Sequence, residues 1–90
     1  MIIPERDQRA AVAAVQEAAV HGKRAGIAVD DDICAEAMLP RVTDALDKRG
    51  IGYEISRPGS GVIEVKLTGL AVDGTVVIVA ADRLTGKAGN

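Results

Sequence analysis

One histidine and one cysteine, His21 and Cys34, are the only residues of this chain that offer a base and a nucleophile together. A catalytic thiol also needs a third group to orient its base, and no residue is marked for that role. His21 ends a helical pattern beside Lys23 and Arg24, where an imidazole suits the negative pole of the helix dipole. Cys34 falls among apolar residues and reads as a small core side chain. Asp30, Asp31 and Asp32 set three carboxylates in a row, but consecutive side chains point different ways and lack the spacing of a calcium loop. Their place ahead of a helical stretch suits capping, with Asp30 as the N-cap. The stretch PGSG, residues 58 to 61, has the glycines of a phosphate loop without its lysine or the following helix, and reads as a hairpin turn. One histidine and one cysteine are too few for a zinc cage. We therefore expect no catalytic residue, no metal site and no cofactor, and a protein that is not an enzyme.

The bulk composition favours association. Ninety residues make one small domain, 1–90. Its apolar fraction of 48% rests on 15 Ala and 11 Val against 5 Leu, with no Phe or Trp. Small side chains each bury little area, so a lone subunit has a thin core, and small scaffolds recover stability by disulfides, metals or oligomerisation. A single cysteine removes the first of these within one chain. The net charge of -2, spread along the chain, gives no basic field for nucleic acid and no polybasic membrane patch. No segment has the roughly 20 apolar residues of a membrane helix, and MIIPERD lacks the pattern of a secretory signal. A cytoplasmic protein is expected. Heavy use of Ala, Gly, Val, Asp and Arg points to GC-rich coding, and so to a bacterial or phage source.

The elements follow from periodicity. Residues 4 to 24 read as a first helix, opened by Pro4, Glu5 and Asp7 and closed by Lys23, Arg24 and Gly26. The stretch GIAV, with Ile27 and Val29, reads as a connector or a short strand. Residues 30 to 50 read as a second helix with Ile33, Ala37, Met38, Val42, Ala45 and Leu46 inward. Pro40 either kinks this helix or divides it near Leu39. From Ile51 the period becomes two: IGYEIS and VIEVKLT alternate around RPGSG, and a third strand follows. The parity of that turn decides whether Ile51, Tyr53 and Ile55 face the helices. Asp73-Gly74 is a strong type I′ hairpin signal, and a turn there opposes residues whose numbers sum to 147. The expected fold is α+β, in the order α-α-β-β-β, with two helices packed on one face of a three-stranded antiparallel meander.

In that register one face carries Ile63, Val65, Leu67, Ala71, Val76, Ile78 and Ala80 toward the helices. The other carries Leu70, Val72, Val77 and Val79 near the turn, with no further helix or strand to cover them and only the N-terminal Ile2 and Ile3, which lie outside the residues described below, as an alternative cover. These four are the expected protein interface, for a homodimer or another protein partner, because contiguous exposed apolar patches mark contact sites. The third strand is expected at a sheet edge, free to pair across a two-fold axis.

A second reading comes from residues 42 to 68, VTDALDKRGIGYEISRPGSGVIEVKLT, which loosely resemble the last helix and wing of winged-helix regulators of the MarR kind. The resemblance implies a DNA-binding regulator with three helices, a break at Pro40, and Arg57 near the wing tip. Asp44 and Asp47 depart from what a recognition helix presents to phosphates and base edges.

Overall fold

The computed structural model describes residues 5–81. Six elements follow one another: α1 (Glu5–His21), β1 (Arg24–Val29), α2 (Asp32–Lys48), β2 (Gly52–Gly59), β3 (Val62–Thr68) and β4 (Thr75–Ala80). The class is α+β, as expected, but the sheet has four strands and is mixed. Its order is β1-β4-β3-β2, with β1 parallel to β4 and the other pairs antiparallel. The three-stranded meander is thereby corrected. β4 is a central strand, not an edge, and the sheet edges are β1 and β2.

The correction begins at Gly22. Its φ of 66° and its N–H donated to the Ala18 carbonyl at 3.1 Å make a left-handed helix cap. So α1 stops three residues before the expected end at residue 24, and the chain from Arg24 is free to become a strand. Both helices pack on one face of the sheet. α1 buries Ala11, Ala14, Val15 and Ala18, and α2 buries Ala35, Met38, Val42, Ala45 and Leu46. They meet Ile27, Ile63, Val65, Leu67, Val76, Ile78 and Ala80 from the strands. Alanine lets the α1 backbone approach closely, which is how a chain of small residues closes its core.

α2 is one helix through Pro40; the division near Leu39 does not occur. Its N-cap is Asp31, one residue later than expected, with an extended backbone and a carboxylate that accepts the Cys34 N–H at 2.8 Å. Its C-terminus is a Schellman motif. Gly50 at φ 68° donates to the Asp47 carbonyl, and Ile51 donates to the Leu46 carbonyl at 3.0 Å. Ile33 was expected inward but is 71% exposed, because the buried stripe runs through Ala35 and Met38 instead.

The β3–β4 connection also differs. Ile63 opposes Ile78 and Val65 opposes Val76, so paired numbers sum to 141, not 147. Asp73 and Gly74 do not form a type I′ turn: neither has positive φ, and the chain reverses over residues 69 to 74, with Gly69 at φ 77°. Tertiary contact overrides the local signal. A Cβ on Gly74 would lie 2.0 Å from the Ala18 carbonyl oxygen, so this glycine serves close approach to α1. A shift of six is even and leaves every β3 and β4 side chain on its expected face.

In the β2–β3 hairpin, Gly59 pairs with Val62 around Ser60 and Gly61, and a bulge between Ser56 and Gly59 adds one residue to β2. That residue places Tyr53 opposite Leu67 and Ile55 opposite Val65. Ile51, Tyr53 and Ile55 therefore share the helix side.

Candidate functional site

The sheet face opposite the helices is built from alternate residues of all four strands. Pairing aligns them in three rows: Arg24, Thr75, Lys66 and Glu54; then Gly26, Val77, Glu64 and Ser56; then Ala28, Val79, Val62 and Gly59. The third row is small and apolar. The first is polar and charged, and an ion pair links the first and second. The Arg24 guanidinium on β1 donates to the Glu64 carboxylate on β3, and so straddles β4 beside Val77. Gly26, the neighbour of Val77 on β1, has nothing within 4 Å of an added Cβ, as expected of an open face.

The expected interface residues divide between two places. Val77 and Val79 lie on this face, but Val77 is only 7% exposed, while Val79 is half-buried. Leu70 and Val72 do not join them, because both belong to the connection over residues 69 to 74. Leu70 packs against the core, and Val72 sits over the end of α1, where a Cβ on Gly22 would come within 2.9 Å of it. The four residues thus do not form one patch. Sequence reasoning missed Ala28, Val62 and Gly59 beside Val79. The alternation Ile27-Ala28-Val29 was the available signal, too short to choose a strand over a connector.

The residues considered for chemistry are dispersed. His21 closes α1 and sits 3.8 Å from Glu17 one turn earlier. Cys34 opens α2, so the two lie at opposite ends of β1, a span of about 20 Å for six strand residues. Cys34 is exposed, contrary to the core placement, because the buried stripe of α2 begins at its neighbour Ala35. The Asp31 carboxylate, accepting from the thiol, pushes it above the ordinary value of 9.0, and the Cys34 backbone N–H holds the Asp31 carboxyl below 3.8. Both shifts disfavour a thiolate nucleophile.

The turn PGSG meets α2 at a shallow hollow of about 220 Å³ whose lining includes the acidic Asp32 and Glu36. Arg57 does not project as a wing tip. Its guanidinium donates twice to Glu36, at 3.0 and 3.2 Å. That engagement, with two carboxylates in the hollow, opposes phosphate binding. The helix order implied by the winged-helix resemblance is likewise not formed, since the described residues hold two helices separated by β1. No group of three or more His, Cys, Asp or Glu placed to hold a metal occurs among the described residues. No helix among them is long and apolar enough to cross a membrane. No family model, curated protein or solved structure matches this chain.

Proposed function

We propose that this protein is not an enzyme and acts by protein contact, associating first with a second copy of itself through its β-sheet. One observation carries the reading: both helices lie on the same face, and no other described element covers the opposite one, where Ala28, Val79, Val62 and Gly59 cross all four strands. A row of this kind at the end of a sheet is apolar surface suited to a protein partner. The charges beside it, Arg24 and Lys66 against Glu54 and Glu64, balance one another, which suits like-with-like contact better than a polyanion. The separation of His21 from Cys34 supports a non-catalytic role. The heavy use of Ala, Gly, Val, Asp and Arg supports a bacterial or phage source.

Sedimentation velocity over a wide concentration range tests the reading. The mass should rise with concentration to twice the chain mass of 9.3 kDa. A mass that stays at one chain throughout contradicts it.

A further inference from the structure

The two sheet edges are treated differently by the sequence. β2 carries Glu54, Arg57, Pro58 and a bulge, the devices that keep an edge strand from pairing with another chain. β1, with sequence RAGIAV, has none of them between Arg24 and Val29. Thr75 donates its N–H to the Lys23 carbonyl at 3.1 Å. Peptide groups alternate sides along a strand, so Lys23, Ala25 and Ile27 face β4, while Arg24, Gly26 and Ala28 direct their N–H and C=O groups outward. β1 is also basic where it begins, at Lys23 and Arg24, and acidic just past its end, at Asp30 and Asp31.

We infer that β1 pairs antiparallel with β1 of a second copy across a two-fold axis, joining two four-stranded sheets into one. This rests on the self-association proposed above and names the surface responsible. Outward-facing residues must oppose one another in such a pair. An axis through Ile27 meets this condition, setting Gly26 against the partner's Ala28 and Arg24 against the partner's Asp30, with Lys23 beside the partner's Asp31. Opposite charges then meet at both ends of the new ladder, whereas a parallel arrangement sets like against like. Arg24, already paired with Glu64, gains a second carboxylate.

The helix layer fits the same axis. Ala10, Ala13, Glu17 and Val20 follow one another at helical spacing on the exposed side of α1. The first three, with residues 23 to 26, line a groove of about 440 Å³ along the β1 edge. Side chains this small leave room for a second α1 at close range. Val20, 67% exposed in the lone subunit, gains cover there.

Light scattering on size-separated variants decides the matter. Gly26→Pro removes an outward N–H that β4 does not use, at a position where an added Cβ meets nothing. It should be a folded monomer by circular dichroism. Asp30→Lys, an exposed change just outside α2, should weaken the dimer about tenfold by opposing like charges at both ends. Adding Arg24→Glu to the same chain, which returns opposite charges to that pair, should restore most of the affinity. Should Gly26→Pro fail to fold, the Asp30→Lys loss and its rescue carry the test alone. A wild-type dimer unaffected by both Gly26→Pro and Asp30→Lys, or an Asp30→Lys loss that Arg24→Glu does not rescue, overturns the edge pairing and leaves self-association standing. A wild-type monomer overturns both.

Discussion

Asp31 both caps α2 and governs Cys34. Its carboxylate accepts the Cys34 N–H, and that bond holds its pKa below 3.8. A folded pKa depressed below the unfolded value stabilises the fold above the unfolded value, and the contribution disappears as pH falls through the depressed one. Asp31→Ala should therefore lower the melting temperature at neutral pH, with the gap to wild type closing below about pH 4. Parallel thermal melts check this. Asp31→Asn keeps a capping side chain but weakens the hydrogen bond and removes the charge that together raise the Cys34 thiol, so alkylation of Cys34 by iodoacetamide at mildly alkaline pH should become several-fold faster. An unchanged rate would detach Asp31 from the thiol. The acidic run was legible in the sequence as a cap. Which aspartate served was not, because three consecutive carboxylates offer the same chemistry and backbone geometry chooses among them.

At the scale of elements, glycines decide what the periodicity leaves open. Gly22 and Gly50 end the helices in the left-handed conformation. The second was legible from the Lys48-Arg49-Gly50 run, while the first was masked by the basic residues that follow it. Ending α1 at Gly22 is what creates β1, so that one missed cap left the strand undecided against a connector and concealed the parallel pairing. Gly74 offered the opposite lesson, since Asp-Gly between apolar runs predicts a tight turn, yet the glycine is held by α1. Gly74→Ala should cost about 3 kcal/mol or more, because the added methyl meets helix backbone, not a movable side chain. In α2, Leu46 is fully buried among the helices and sheet, and Leu46→Ala should cost about 2–5 kcal/mol. Chemical denaturation measures both. A loss below about 1 kcal/mol for Gly74→Ala would contradict the close approach.

For the whole molecule, the apolar character of β4 has a structural cause: the strand is central, flanked by β1 and β3, and covered by both helices on one side. Its inward face was readable from alternation, since the face assignment survives any even shift of register. The lateral partner was not, because β1 and β4 lie 51 positions apart at their paired starts, Arg24 and Thr75, and no local signal encodes a parallel match over that distance. The interface expectation failed as one patch for the same reason, since the connection carrying Leu70 and Val72 docks on α1 and leaves the sheet surface. What the described residues present is one sheet face that none of them covers and one unguarded edge. If charge complementarity at the ends of β1 aligns two copies, raising salt from low to near-molar concentration should weaken the dimer without abolishing it, as exposed pairs are screened while ladder hydrogen bonds persist. Sedimentation equilibrium at several ionic strengths reads this directly.

The most direct measurement is amide hydrogen exchange followed residue by residue by NMR at low and high protein concentration. Gly26 and Ala28 should exchange quickly in dilute solution and become protected as concentration rises, while Ala25 and Ile27, bonded to β4, stay protected throughout. Exchange at Gly26 and Ala28 that is fast at every concentration would contradict the account.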